Sequence, residues 1–234
     1  MKTILEFAQG SLFEFALAIL VLGLARHVLL SLIGFLRARR RTTRKRLDVV
    51  ELAARTVRQA NPLRYLVRAR GLYTFLTMLT HAGLLIVPIF LAGHITLWER
   101  GLGFRWPSIP AVLADVLTLT TIGALLALLV ARLAHPASRR ISRFQDWLLP
   151  PLLLVIFASG YLMAHPWVDV LPYPATRTIH VLAGDGVLLL IPFTKLAHMI
   201  LLPFSQLAVE MGWRFVPGAG AKVRRTLGKE GRPI

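Results

Sequence analysis

Residues 111–133 read AVLADVLTLTTIGALLALLVARL, an apolar stretch whose only charged residues are Asp115 near its start and Arg132 near its end. At 1.5 Å per residue, a helix of this length crosses the roughly 30 Å of hydrocarbon in a lipid bilayer. Four more stretches have the same character, at residues 12–36, 73–97, 147–164 and 179–202. The sequence therefore predicts an all-α integral membrane bundle of five transmembrane helices.

The composition of the 234-residue chain agrees with this class. Hydrophobic residues make up 56% of it and charged residues only 17%, whereas soluble domains are about 25% charged. There are no cysteines, which excludes a disulfide framework, a thiolate zinc site and an iron–sulfur cluster held by this chain alone. A soluble enzyme is excluded, and any bound metal must be ligated by histidine or carboxylate.

Basic residues predict the orientation of the bundle. Of the 28 Lys and Arg residues, 22 lie in three segments that share one side of the membrane, namely residues 37–70, 132–143 and 214–232. Because cytoplasmic loops of membrane proteins are rich in Lys and Arg, the N-terminus is expected outside and the C-terminus in the cytoplasm. The net charge of +17 then reflects topology and contact with anionic lipids, and no nucleic-acid partner is expected.

Two regions follow from this arrangement. Residues 1–207 form the five-helix domain, including a basic cytoplasmic loop at 37–70, and residues 208–234 form a basic cytoplasmic tail. Within the loop, the pattern at 48–59 predicts a short amphipathic helix that lies on the membrane surface or docks a partner subunit. The first span is too long for the h-region of a cleaved signal peptide, so we expect it to remain in the mature chain.

Four histidines form two pairs at matching depths. His180 and His198 are 18 residues apart in the fifth span, which on a continuous helix is five turns, or about 27 Å, on one face. His81 and His94 lie in the second span, which runs the opposite way. Antiparallel packing of these spans would pair His81 with His198 and His94 with His180.

Two imidazoles that face each other inside a helical bundle are the ligand set of a bis-histidine haem. The pairs predict an inner haem held by His81 and His198 and an outer haem held by His94 and His180. The outer pair has a geometric difficulty, because 13 residues turn His94 about 140° away from His81 on an ideal helix. A kink at Pro88 could re-aim it, and His165 is the alternative outer ligand.

Charged residues near the histidines have two interpretations each. Arg177 and Lys195 are candidates for contact with haem propionates or with the membrane surface. Asp185 is an acid inside the fifth span, where an unpaired carboxylate is costly. It is either a proton acceptor beside a quinol or a hydrogen-bonded structural acid.

Two other functions stay open. In one, His81 and His198 hold a single haem and the outer histidines are merely interfacial. In the other, the intramembrane histidines and Asp185 form the proton path of a small transporter. The sequence contains no evident inverted repeat or pair of broken helices, which are typical of transporters.

The stretch RTIHVLAGDGVLLLIPFTKLAHMILLPFSQL at residues 177–207 resembles the last transmembrane helix of the gamma subunit of respiratory nitrate reductase, a dihaem cytochrome b. The stretch THAGLLIVPIFLAGH at residues 80–94 resembles the second helix of that family. The resemblance extends to five spans and an external N-terminus. It departs in the wider spacing of His81 and His94 and in the more basic loop at 37–70.

The resemblance implies two haem b groups on the same histidine pairs, with Gly93 and His94 bordering a quinol site at the outer haem. It also implies electron transfer between membrane quinone and a cytoplasmic iron–sulfur subunit of an oxidoreductase complex, in a bacterial or archaeal cytoplasmic membrane. In these departures the chain is similar to the gamma-like subunits that pair with heterodisulfide-reductase-like iron–sulfur proteins.

Overall fold

A computed structural model describes residues 2–41, 50, 54, 57–58, 71–168, 170–199, 201–202, 204 and 218–230. All regular structure in these residues is helical, and none of them lies in a strand. Five of the helical segments that the structure describes are long and apolar enough to cross a membrane: Thr3–Arg37, Gly71–Phe90, Ala111–Ala134, Phe144–Ala164 and Tyr173–Phe193. For the described residues, the prediction of an all-α protein with five helices able to cross a membrane is therefore confirmed, while the orientation of the termini stays a prediction.

The α-helices are numbered here in chain order. They are α1 (Lys2–Phe7), α2 (Phe13–Arg41), α3 (Gly71–Phe90), α4 (Ala92–Leu102), α5 (Ala111–Ala134), α6 (Pro136–Ile141), α7 (Phe144–Ala164), α8 (Tyr173–Leu190) and α9 (Ala219–Thr226). A π-helical turn, Ala8–Leu12, joins α1 to α2. Two 3₁₀ turns, Ile191–Phe193 and Lys195–Ala197, follow α8. The helix predicted at 48–59 lies outside the described residues, apart from positions 50, 54, 57 and 58.

Two of the predicted spans are interrupted, which their hydropathy does not predict. The second span ends as α3 at Phe90, and α4 begins at Ala92 after an extended Leu91 with ψ 131°. The fifth span leaves the α-helical conformation after Leu190, and Thr194 between the two 3₁₀ turns is extended. A proline lies at or near each interruption, Pro88 and Pro192, and proline cannot donate the backbone hydrogen bond that continues a helix.

The residues form two compact units. The first comprises Met1–Ala18 and Pro62–Leu190, and the second comprises Ile19–Asn61 and Ile191–Ile234. In the first unit α3 packs on α5, α5 on α7, and α7 on α8, while α8 also contacts the π-helical turn. The core between these helices consists of small, aliphatic and aromatic side chains, among them Ala114, Ala124, Leu149, Leu153 and Phe157.

In the second unit, α2 lies against the interruption of the fifth span. Gly23 has no side chain to obstruct the Pro192 ring, which fills the space of a Cβ atom at that position. His27 Nε2 donates a hydrogen bond to the Pro192 carbonyl at 2.7 Å. A carbonyl that the broken helix leaves unpaired thus finds a donor on the neighbouring helix, as burial in lipid requires.

The contact of α3 with α5 depends on a glycine. A Cβ atom added at Gly83 would overlap Thr121 Oγ1 and lie 2.9 Å from Thr121 Cβ, and Thr121 is fully buried. Small residues of this kind let membrane helices approach each other closely.

We expect Gly83→Ala to destabilise the first unit, because the added methyl group has to displace α3 from α5. Overpacking of this kind costs about 1–3 kcal/mol. Thermal unfolding in detergent measures the loss. Gly123→Ala on α5 is the matched control, since an added Cβ there meets no atom within 4 Å. Equal melting temperatures for the two variants would contradict the predicted contact.

Candidate functional site

His94 and His180 face each other within the first unit. Their ring centroids are 6.0 Å apart and the ring planes differ by only 2°. His94 is the third residue of α4, and His180 lies in the first half of α8. Both rings are partly buried. The structure therefore brings together the two histidines that were predicted to hold the outer haem.

The interruption at Leu91 determines where His94 points. A continuous helix from His81 would turn the two side chains about 140° apart. The extended Leu91 ends α3 and starts a new helix, and His94 Nδ1 reaches back to the Val87 carbonyl at 3.3 Å. The geometric difficulty with His94 is thus removed by a break in the helix rather than by a kink.

The four backbone carbonyls at the end of α3 all accept hydrogen bonds. The last four carbonyl groups of a helix lack intrahelical partners, and in a membrane each must be satisfied by the protein. In α3, the carbonyls from Val87 to Phe90 accept hydrogen bonds, in order, from Leu91 N (3.0 Å), Trp98 Nε1 (3.0 Å), Trp106 Nε1 (2.9 Å) and Ile109 N (3.0 Å). Two indole groups therefore stabilise the break that positions His94.

Residues of α7 surround one side of the His180 ring. The Nδ1 atom of His180 lies 3.0 Å from the Ile156 carbonyl and 3.2 Å from Ser159 Oγ. The ring also covers Gly160, where an added Cβ would come within 2.9 Å of His180 Cε1. A glycine at this position is therefore required for the ring to lie where it does.

The carbonyl contacts determine which ring nitrogen is protonated. A carbonyl oxygen can only accept, so the Nδ1 atoms of His94 and His180 carry the protons that they donate to Val87 and Ile156. In the neutral imidazole, Nε2 then holds the free electron pair. This is the usual state of a metal-ligating histidine, whose second nitrogen donates to a backbone carbonyl.

His165, the alternative outer ligand, has contacts at both nitrogens. Nδ1 lies 2.9 Å from the Tyr161 carbonyl, and Nε2 lies 3.2 Å from Asp115 Oδ2. The ring stacks on Tyr161 at 4.1 Å and meets the edge of Trp167 at 4.8 Å. The pairing of His165 with Asp115 was not predicted. Both residues lie at the loop ends of their spans, and this shared position is the feature of the sequence that could have indicated the contact.

The predicted inner ligands lie in different units. His81 belongs to the first unit and its Nδ1 is 2.7 Å from the Thr77 carbonyl. His198 belongs to the second, and its Nδ1 is 2.6 Å from the Lys195 carbonyl. The pairing of His81 with His198 stays a prediction. The assumption that His180 and His198 share one continuous helix is wrong, because 3₁₀ turns and an extended Thr194 lie between them.

The remaining predicted site residues have distinct surroundings. Arg177 Nη2 donates to Gln9 Oε1 at 3.2 Å, and Lys195 and Gly93 are exposed. Asp185 is only 2% exposed, and its Oδ2 has no hydrogen-bond partner among the residues that the structure describes.

A cavity of about 430 Å³ lies beside the start of α4. It is lined by Ala92, Ile95, Arg105, Trp106, Pro107 and Ser108. Its lining thus includes residues on either side of Gly93 and His94. The Arg105 guanidinium lies 3.9 Å from the Glu99 carboxylate. The part of this lining at residues 106–108 was not predicted from the sequence.

The comparisons with known proteins show one family relationship. A curated protein of Nitratidesulfovibrio vulgaris (strain Hildenborough) is 30% identical over 155 residues, which is 66% of this chain and 67% of the relative. The chain belongs to the family of this protein. No protein-family model matches the chain, and no solved structure matches it.

The pairing of His94 with His180 can be measured without any bound cofactor. The chain has no cysteines, so we expect a short bifunctional thiol reagent to link the double variant His94→Cys/His180→Cys, with the linked peptides identified by mass spectrometry. The control is His94→Cys/Leu126→Cys. The start of α5 lies near the break before His94, since Ile109 N bonds to the Phe90 carbonyl, and Leu126 lies about 22 Å farther along α5, counted from Ala111. Equal cross-linking of the two pairs would contradict the structure.

Proposed function

We propose that the chain is a membrane-anchoring dihaem cytochrome b subunit. It transfers electrons between the membrane quinone pool and a cytoplasmic iron–sulfur partner, as the electron-transfer subunit of a quinol-linked oxidoreductase. The observation that supports this best is the facing pair His94 and His180, each with Nδ1 bonded to a backbone carbonyl. The inner pair, His81 and His198, is proposed from the sequence.

The distance between the facing rings suits an iron between them. With metal–imidazole bonds of about 2 Å and about 1 Å more to each ring centre, two imidazoles that shared one metal ion would have ring centres roughly 6 Å apart. The observed separation is 6.0 Å. His94 and His180 would hold the iron of a bound haem, which needs only two side chains from the protein. The residues present therefore fit the proposed cofactor.

When bound, haem supplies one-electron redox chemistry, and the protein controls orientation and electrostatics. Ile156, Ser159 and Gly160 hold the His180 ring against α7. Arg177 is three residues before His180 and Lys195 three before His198, a spacing that places side chains on one face of a helix. We propose that these two cations neutralise haem propionates.

The cavity beside α4 supports a quinone site near the outer haem, bordered by Gly93 and His94. Its lining combines the apolar side chains of Ile95, Trp106 and Pro107 with the Arg105 guanidinium and the Ser108 hydroxyl. The two polar groups can donate hydrogen bonds to quinone oxygens. Asp185 is the proposed proton acceptor. It lies five residues beyond His180, about 7.5 Å along the helix axis.

The proposed orientation gives the reaction a direction across the membrane. With the N-terminus outside, the cavity, His94 and His180 would lie at the external end, so protons from a quinol oxidised there would leave to the outside while its electrons would pass towards the cytoplasm. The basic loop and tail contact anionic lipids and the iron–sulfur subunit. In the tail, α9 carries Lys222, Arg224 and Arg225.

A small proton-coupled transporter is the second candidate, because both the second and the fifth span are interrupted. In transporters, the carbonyls freed at such interruptions coordinate ions. The four carbonyls at the Leu91 break already accept hydrogen bonds from the protein. This observation favours the cytochrome over the transporter.

Haem content distinguishes the candidates. We expect a pyridine haemochrome ratio of two haems per chain in purified membranes. His94→Ala and His180→Ala should each remove the same haem and leave the other spectrum intact, whereas His81→Ala and His198→Ala should remove the second one. His165→Ala is the control and should retain both. One haem per chain would indicate the single-haem anchor, and absence of haem would support the transporter.

Asp185→Asn tests the proton acceptor. We expect slower haem reduction by quinol with both haems retained, because the amide cannot accept the proton. Stopped-flow absorption follows the rate, and the haemochrome assay follows the content. An unchanged rate would show that Asp185 has a structural role and accepts no proton. Loss of the outer haem would show that Asp185 is needed for haem binding.

A further inference from the structure

Ser159 has an unusual set of contacts on the face of α7 that meets His180. The side chain is 6% exposed. Its Oγ lies 2.6 Å from the Val155 carbonyl and 3.1 Å from the Ile156 carbonyl, on its own helix. The same oxygen lies 3.2 Å from His180 Nδ1, on the neighbouring helix.

The direction of these hydrogen bonds follows from the number of protons. Ser159 has one hydroxyl proton, which it donates to a carbonyl of α7, because carbonyl oxygens can only accept. Its lone pairs are then available to accept from the His180 Nδ1–H group. That proton therefore has two acceptors, the Ile156 carbonyl at 3.0 Å and Ser159 Oγ at 3.2 Å.

The two facing histidines differ in this respect. His94 Nδ1 donates to the Val87 carbonyl over a longer distance, 3.3 Å. Acceptors on the second nitrogen of a ligating histidine raise its basicity and fix the orientation of the ring. Such hydrogen bonds are also among the means by which a protein adjusts the potential of a haem.

We propose that Ser159 is a positioning residue that orients the His180 imidazole and strengthens its electron donation to the outer haem iron. This inference rests on the proposed function. A more basic axial ligand stabilises ferric over ferrous iron, so Ser159 lowers the midpoint potential of the outer haem relative to a protein without it.

Gly160 leaves space for the His180 ring on the same face of α7. An added Cβ would lie 2.9 Å from Cε1 and 3.3 Å from Nδ1 of His180, so a side chain here has to rotate or displace the ring. Ser159 and Gly160 therefore act on the same imidazole in separable ways. One supplies an acceptor and the other supplies space.

The experiment compares Ser159→Ala with Ser159→Thr, which retains a hydroxyl, in membranes that contain the full chain. Thr121→Val is the matched control, because Thr121 is also a buried hydroxyl that bonds to its own helix, at Leu117 O. Redox titration gives the midpoint potential of each haem, low-temperature EPR of the ferric state reports ligand orientation, and the haemochrome assay gives haem content. The outer haem is the one lost in His180→Ala.

We expect Ser159→Ala to retain both haems, to raise the midpoint potential of the outer haem alone and to alter its EPR signal. Ser159→Thr and Thr121→Val should match the wild type. Ser159→Gly replaces Ser159→Ala if the latter does not accumulate. Gly160→Ala should broaden or abolish the outer-haem EPR signal.

An unchanged outer-haem potential in Ser159→Ala would overturn the positioning role while leaving the dihaem function intact. Equal shifts of both haems, or the same shift in Thr121→Val, would also overturn it. A wild-type chain without haem would instead overturn the proposed function and this inference with it.

Discussion

A backbone carbonyl buried in a lipid bilayer must accept a hydrogen bond from the protein, and much of this structure depends on that requirement. The second span is broken at Leu91, and the four carbonyls at the end of α3 are bonded to two backbone N–H groups and to the indoles of Trp98 and Trp106. Without these donors the break would be costly. With them, α4 can leave the axis of α3 and present His94 to His180.

The histidines follow the same rule. His27, His81, His94, His165, His180 and His198 each place a ring nitrogen within hydrogen-bond distance of a backbone carbonyl. At His94 and His180 this contact fixes the proton on Nδ1 and leaves the electron pair of Nε2 available to a metal. At His165 the second nitrogen already contacts Asp115. The identity of the second partner therefore separates a candidate ligand from a structural histidine.

Small side chains at the helix contacts make these arrangements possible. Gly83 allows Thr121 of α5 to approach α3, Gly23 accommodates the Pro192 ring, and Gly160 accommodates the His180 ring. Glycine is frequent in membrane helices, so composition alone does not distinguish these three from the others. The role of each glycine is evident only when the atom that occupies the space of its absent side chain is known.

The sequence by itself determined the fold class, because five apolar stretches long enough to cross a membrane follow directly from hydropathy. It also predicted the pairing of His94 with His180, which the structure brings together, and residues 111–133 match α5 to within one residue. Only the tertiary structure decided the direction of His94, since that direction depends on Trp106 and Ile109, which are distant along the chain from the carbonyls they satisfy. The Asp115 partner of His165 and the Ser159 contact with His180 were decided in the same way. They join different helices, and hydropathy and periodicity describe one helix at a time.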